Sequence, residues 1–138
     1  MPGPEFLDTN VLVYAYDTSN LAKQRTAREL VTRAVTGECI ISAQVLAEFA
    51  ATLLHKIVPP PSPEHVLAIL DALGPAPLVK PDGDLVRRAV EARATYGLHF
   101  YDALIVAAAE RAGSEKIWSE DLNAGQSYFG AVVTNPFI

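Results

Sequence analysis

Cysteine is scarce in this sequence, and so are long apolar stretches. Cys39 is the only cysteine among 138 residues, so no disulfide can form within the chain, and we expect a protein of the reducing cytoplasm. Cys39 lies in an apolar run with Ile40 and Ile41, which favours a buried structural thiol over a catalytic one. No apolar run approaches the roughly 20 residues of a membrane span, and the N-terminus lacks the basic-then-apolar pattern of a secretion signal.

Basic residues are also few. The sequence has 11 lysines and arginines against 16 aspartates and glutamates, which gives a formal net charge of −5. This balance argues against a protein that holds nucleic acid mainly by a broad basic surface. It does not exclude an enzyme that concentrates acids at a metal site, because a bound cation offsets their charge.

Several common catalytic patterns are absent from the sequence. It contains no GxSxG, Walker A or GxGxxG motif, and its three histidines have no metal-ligand spacing with one another or with Cys39. A phosphatase of the haloacid dehalogenase type also begins with an aspartate after the first strand. Such an enzyme normally has a second aspartate two positions later, where this chain has Asn10.

Segments with strand and helix patterns alternate along the chain. This alternation predicts an α/β fold with a mostly parallel sheet covered on both faces, and the length predicts a single domain over residues 1–138. The predicted strands are 6–7, 38–42, 77–79, 116–119 and 131–134. The predicted helices are 11–16, 21–36, 43–56, 63–73, 85–94 and 101–112, the last of them apolar almost all round and therefore buried.

The stretch from Phe6 to Asp17 organises the rest of the chain. Phe6 and Leu7 are predicted to end a short buried strand, and Asp8 follows at once. Thr9 and Asn10 are turn and N-cap residues that start the next helix. Open α/β sheets bind ligands where their strands end, so Asp8 stands where a site is expected. From this stretch alone, a simple helix cap is an equally good interpretation of Asp8.

Three more acids are predicted to lie at the same edge of the sheet as Asp8. Glu48 is six residues into the helix capped by Ser42, about 9 Å along its axis. Asp102 is in the first turn of the buried helix, and Asp121 lies just past the strand that ends at residue 119. Parallel strands end at one edge and the connecting helices begin there, so these carboxylates can converge.

Each of these three acids also has a structural interpretation. Asp102 is favoured by the helix dipole, and Asp121 lies in a loop, where a charged residue is common. Glu48 lies on the polar face of its helix, which is predicted to be exposed to solvent. Clustered carboxylates repel one another unless a hard divalent cation binds, and Mg²⁺ and Mn²⁺ favour such ligands. The side chains that could support them by hydrogen bonds are Ser119, Thr9 and Asn10.

On these residues the chain closely resembles the PIN domain, and within it the VapC-like toxin of bacterial and archaeal type II toxin–antitoxin pairs. The resemblance covers essentially the whole chain, and four acids in this order and in these elements are a specific pattern. The departure from it is the proline-rich segment 59–63. The matching strings are Leu7-Asp8-Thr9-Asn10, Glu48 in the third helix, Tyr101-Asp102-Ala103, Ser119-Glu120-Asp121-Leu122 and the closing Asn135-Pro136-Phe137.

The resemblance implies a PIN-like three-layer sandwich with a central, mostly parallel sheet of 4-5 strands flanked by helices. It implies a metal-dependent ribonuclease, with RNA as substrate, a cognate antitoxin as partner and a homodimer as the usual assembly. A mean hydropathy of +0.18 is in keeping with apolar contact surface. The implied catalytic residues and ligands of Mg²⁺, for which Mn²⁺ would substitute, are Asp8, Glu48, Asp102 and Asp121, supported by Thr9, Asn10 and Ser119.

A second function belongs to another class. A PIN-like module could keep the fold, lack catalysis and only bind a protein partner. The intact set of four acids weighs against this alternative, and a nuclease assay on an acid variant separates the two.

Overall fold

The computed structural model describes residues 3–138; the single domain predicted over residues 1–138 therefore includes Met1 and Pro2, which lie outside the described residues. Its strands form one sheet in the order β3-β2-β1-β4-β6-β5. All neighbouring strands are parallel except β5 and β6. The strands are β1 (Glu5–Leu7), β2 (Cys39–Ser42), β3 (Leu78–Val79), β4 (Lys116–Trp118), β5 (Ser127–Tyr128) and β6 (Ala131–Thr134).

Helices flank the sheet. In pairs, α1 packs against α2 and α3, α5 packs against α6, and α6 contacts β6. The helices are α1 (Thr9–Ala15), α2 (Leu21–Val35), α3 (Ala43–His55), α4 (Pro63–Leu73), α5 (Gly83–Tyr96) and α6 (Phe100–Arg111). The predicted α/β fold with a mostly parallel central sheet is thus confirmed. No helix in residues 3–138 is long and apolar enough to cross a membrane.

The sheet has six strands, one more than the upper end of the predicted 4-5. The additional strand is β5, an antiparallel edge strand of only two residues that pairs with β6. The hairpin turn between them is Phe129-Gly130, with φ of 49° and 87°, and two positive φ values are typical of the tight turns that match strand twist. Two residues are too few to show an alternating pattern, so sequence periodicity cannot reveal this strand.

The core forms where the predicted apolar faces meet. Helix α6 is buried over the seven residues 103–109, as its nearly uniform apolar composition predicts. Cys39 in β2 is fully buried, and burial raises the pKa of its thiol to about 11. A thiol that stays protonated is a poor nucleophile, which supports the structural role expected for it.

The predicted acidic site lies where the strand order of the sheet reverses. From β1 the chain builds β2 and β3 on one side of the sheet, then returns to add β4 and β6 on the other. β1 and β4 are parallel neighbours with Leu7 opposite Trp118, so the next residues, Asp8 and Ser119, emerge side by side. Open α/β sheets bind ligands at such a switch point, beyond the carboxyl ends of the strands.

Candidate active site

Asp8 is both a helix cap and the centre of a polar cluster. Its Oδ1 accepts a hydrogen bond from the Thr9 amide at 2.7 Å, which makes Asp8 the N-cap of α1. Thr9 and Asn10, expected as turn and cap residues that start this helix, form its first turn, and the cap itself is Asp8, the alternative left open by the sequence. The second oxygen of Asp8 has a different partner and accepts from the Ser119 hydroxyl at 2.8 Å. Capping alone therefore does not account for the carboxylate.

Asn10 connects the two strand ends. Its Nδ2 lies 3.4 Å from Asp8 Oδ2, 3.4 Å from Ser119 Oγ and 3.2 Å from Asp121 Oδ2. Its Oδ1 accepts from the Glu120 amide at 3.1 Å. Asn10 is thus placed between the carboxylates of Asp8 and Asp121, where a neutral amide donor reduces their repulsion.

The turn after β4 is built around the hydroxyl of Ser119. This fully buried side chain donates to Asp8 and accepts from the amides of Asp121 and Leu122, both at 3.1 Å. One oxygen atom therefore fixes the backbone that carries Asp121 and the orientation of Asp8. The supporting role of Ser119 at a metal site stays a prediction.

Glu48 reaches the cluster from α3. Its Oε2 accepts from the Thr9 hydroxyl at 2.8 Å and its Oε1 from Gln44 Nε2 at 2.9 Å. Gln44 Nε2 also donates to the Tyr101 carbonyl in α6 at 2.9 Å, while its Oε1 is the one buried side-chain polar atom in residues 3–138 without a partner. The face of α3 that the sequence presents as solvated is turned toward α1 and the start of α6.

Asp102 is the least connected of the four acids. It lies in the first turn of α6, is an exposed residue and makes no side-chain hydrogen bond within residues 3–138. Its pKa is raised by partial burial of the carboxylate first, and also by the charges of Glu48 and Asp121, while His99 opposes the shift. The charges of Glu48 and Asp121 therefore act on the Asp102 carboxylate, but no hydrogen bond links it to either of them.

Burial makes the charge of Asp8 costly. The residue is only 6% exposed, and burial raises the pKa of its carboxyl to about 6. The hydrogen bonds from Ser119 and Thr9 lower that pKa, whereas the negative charges of Asp121 and Glu48 raise it further. A nearby positive charge would offset this cost.

The donor set fits a hard divalent cation in its chemistry. All four acids offer carboxylate oxygens, which Mg²⁺ and Mn²⁺ prefer, and the supporting side chains are hydroxyls and amides. In the arrangement described for residues 3–138, however, no three Asp, Glu, His or Cys side chains are grouped closely enough to hold an ion. Like charges repel, and three of the acids turn instead toward the donors of Thr9, Asn10, Ser119 and Gln44.

A cleft of about 580 Å³ opens beside the cluster, between α1 and α3. Its walls include four predicted residues, Thr9, Asn10, Glu48 and Asp121. Sequence reasoning did not select the other polar residues that line it: Tyr14, Asp17, Thr52, His55, Lys56 and Glu120. The one available signal was the position of Glu120 next to Asp121 in a matching string.

Replacing Ser119 by alanine is expected to lower the free energy of unfolding by about 1–3 kcal/mol, because buried polar partners lose their hydrogen bonds. The matched control is Ser114→Ala, which removes another buried serine hydroxyl; among residues 3–138 this hydroxyl bonds only to the Pro4 carbonyl. The measurement is urea unfolding of both variants. If Ser114→Ala cost as much as Ser119→Ala, the Ser119 hydroxyl would hold no special place in the cluster.

Comparison with known proteins places these features in a family. The family model described as PIN domain matches residues 6–127. No curated protein sequence matches the chain.

Several solved structures share the fold. A toxin–antitoxin complex from Klebsiella pneumoniae has a chain that superposes with a TM-score of 0.72 at 20% identity, covering 96% of this chain and 98% of that one. DNA-bound VapBC from Salmonella typhimurium gives 0.71 at 18% identity, covering 99% of each chain. VapC20 from Mycobacterium tuberculosis, described as a sarcin–ricin loop cleaving toxin, gives 0.66 at 18% identity, covering 85% and 91%.

The family model extends from β1 to the first residue of β5 and includes all four acids. The order of the strands, the site at the switch point and this match agree with one another. The chain belongs to the PIN domain family.

Proposed function

We propose that this protein is a divalent-metal-dependent endoribonuclease and the toxin component of a type II toxin–antitoxin pair. The observation that carries the proposal is the cluster of Asp8, Asn10, Ser119 and Asp121 at the switch point, joined through Thr9 to Glu48. It opens into a cleft in a chain of the PIN domain family. The description of VapC20 as a sarcin–ricin loop cleaving toxin supports RNA as the substrate.

In this proposal Asp8, Glu48, Asp102 and Asp121 hold Mg²⁺, with Mn²⁺ able to replace it. Such an ion, when bound, supplies a water of lowered pKa and polarises a phosphate oxygen. The buried Asp8 provides a charge fixed in direction by Thr9 and Ser119.

The supporting residues keep the carboxylates in place. Asn10 and Ser119 set the distance between Asp8 and Asp121, and the Thr9 hydroxyl orients Glu48. Ligands whose orientation is fixed in advance lose less entropy when they bind an ion. Loss of a residue that hydrogen-bonds to a metal ligand typically lowers metal affinity by roughly 10–100-fold.

RNA would enter along the cleft between α1 and α3. Of the four acids, Glu48 and Asp121 line this cleft, and His55 and Lys56 line it near the C-terminal end of α3. Lys56 makes no ion pair within residues 3–138. A chain with a net charge of −5 must bind a polyanion through the cation and such local basic groups.

The first test is RNA cleavage by the purified protein in Mg²⁺, in Mn²⁺ and in EDTA. We expect cleavage with either ion and none in EDTA. Unchanged cleavage in EDTA would remove the metal from the mechanism. Absence of cleavage under every condition, across structured and single-stranded RNAs, would favour the alternative of a catalytically inactive PIN-like module that binds a protein.

The proposed partners are a cognate antitoxin and a second copy of the chain. Two observations support them: the similar chain from Klebsiella pneumoniae was solved in a toxin–antitoxin complex, and apolar side chains stand on the surface of α4 and α5. The exposed ones there are Leu67, Val86 and Val90.

Induced expression is accordingly expected to stop growth unless the antitoxin is co-expressed, and the purified protein is expected to be a homodimer. The measurements are colony counts after induction and light scattering. The Asp102→Asn variant is the control and should be harmless. A monomer that leaves growth unaffected would contradict both expectations.

A further inference from the structure

Glu120 is a carboxylate of the cleft that lies outside the four-acid site. Glu120 directly precedes Asp121, and both residues line the cleft. The four-acid site assigns no role to Glu120. Both of its oxygens are occupied: Oε1 accepts from the Tyr14 hydroxyl at 2.7 Å and Oε2 pairs with Lys23 Nζ at 2.7 Å.

Lys23 is itself held in one position. Its Nζ lies 3.2 Å from the Tyr14 hydroxyl and 4.6 Å and 5.7 Å from the ring centroids of Tyr14 and Phe137. Those two rings pack edge to face, 4.8 Å apart. The side chains of Lys23 and Glu120 are only 29% and 27% exposed. The pair is therefore part of a packed network from α1, α2 and the C-terminus, unlike a loose surface ion pair.

The charges of the pair reinforce each other. Lys23 first, then Tyr14, lowers the pKa of Glu120, and Glu120 raises the pKa of Lys23. The 2.7 Å contact pairs one positive with one negative charge, so the net charge of the pair is zero. Without Lys23, the carboxylate next to Asp121 would carry an unneutralised negative charge. This charge would attract a divalent cation and repel an RNA phosphate.

We propose that Lys23 is a positioning residue that, with Tyr14, holds the Glu120 carboxylate away from the cation site. Four carboxylates, and not five, then face the cation and the substrate. This inference rests on the proposed function, since it concerns the cation and the RNA assigned to the same cleft.

Opposite changes are expected for the two members of the pair. Lys23→Met leaves Glu120 uncompensated, so the Kd for Mn²⁺ falls by about threefold to tenfold and the KM for RNA rises by a similar factor. Glu120→Gln keeps a partner for Tyr14 and leaves Lys23 unpaired, so the Kd for Mn²⁺ rises. In the double variant Lys23→Met/Glu120→Gln both constants return close to wild type. All of these differences shrink in about 0.5 M salt, because salt screens the charges.

The test is calorimetric titration of Mn²⁺ into wild type and the three variants at low and high salt, with KM and kcat for RNA from the same preparations. The matched control is Arg33→Met, which removes another α2 cation paired with Glu5 and Glu38 at the opposite end of β1; its Mn²⁺ affinity should equal that of wild type.

Three outcomes overturn the inference. If the double variant binds Mn²⁺ as weakly as Glu120→Gln or more weakly, Glu120 is itself a ligand. If wild type binds Mn²⁺ but no variant differs from it, the pair is only structural and the proposed function stands. If wild type neither binds Mn²⁺ nor cleaves RNA, the proposed function fails and the inference fails with it. If Lys23→Met does not fold, the comparison of Glu120→Gln with the double variant decides between these outcomes.

Discussion

Asp8→Asn is expected to melt a few degrees above wild type in EDTA, and to gain almost nothing from Mn²⁺. The buried carboxyl has its pKa raised from 3.8 to about 6. A shift of that size corresponds to about 3 kcal/mol of destabilisation once the group is ionised. Asparagine recovers only part of it, about 1 kcal/mol, because the donors Ser119 and Asn10 lose an acceptor. A gain of that size raises Tm by about 2–4 °C or slightly more at this chain length.

The pH dependence has a definite sign. Because the folded state holds the Asp8 proton more tightly than the unfolded state, metal-free wild type loses stability as pH rises from about 4 to about 6 and stays at the lower level above that. Asp8→Asn lacks this loss, so the two proteins should differ most above pH 6 and least near pH 4. The measurement is a series of thermal melts from pH 4 to pH 8 in EDTA, repeated above pH 6 with millimolar Mn²⁺.

The matched control is Asp82→Asn. Asp82 also caps a helix, by accepting from the Leu85 amide, but it is exposed and its pKa is lowered, first by Arg111. Neutralising it should give no gain in stability above pH 6. If Asp8→Asn melted lower than wild type in EDTA and still gained as much from Mn²⁺, Asp8 would be a structural cap only.

Asp102→Asn is expected to reduce RNA cleavage by roughly 10²- to 10³-fold, the range found when one electrostatic contact to a transition state is removed. Its stability should change little, because Asp102 is exposed and makes no side-chain hydrogen bond within residues 3–138. The measurement is kcat/KM for a single RNA in Mg²⁺, with the melting curve as a check on folding.

Asp84 provides the control for Asp102. Each aspartate lies in the first turn of its helix, Asp84 in α5 and Asp102 in α6, so both gain from the helix dipole. Only Asp102 faces Glu48 and Asp121. The Asp84→Asn variant should therefore cleave RNA as wild type does. If both variants lost the same amount of activity, the role of Asp102 would be limited to its interaction with the helix dipole.

The edge of the sheet could be predicted because strand direction fixes it. Once β1 and β4 are recognised as parallel, residues after their last positions must emerge together, which brings Asp8 to Ser119 and Asp121. The same reasoning gives the start of α6 and hence Asp102. These placements follow from topology alone and need no knowledge of side-chain packing.

What the sequence could not show depends on packing between distant segments. Glu48 reads as solvated because helical periodicity separates apolar from polar faces and does not show what covers the polar face. The contact of Lys23 with Glu120 spans 97 positions, and no local pattern links the two. Thr9 and Asn10 were expected as capping residues because both are good N-caps. The strand β1 ends at Leu7 as predicted, but α1 begins at Thr9, two residues before the predicted start at residue 11, which leaves the cap to Asp8.

The most direct test of the metal site is a crystal structure of the protein soaked in Mn²⁺, with anomalous diffraction used to locate the ion. A strong anomalous peak is expected beyond the ends of β1 and β4, within about 2.0–2.6 Å of carboxylate oxygens from Asp8 and at least two of Glu48, Asp102 and Asp121. Ordered crystals with Mn²⁺ peaks only elsewhere on the surface, and none at these carboxylates, would contradict the assignment of the four acids as a metal centre.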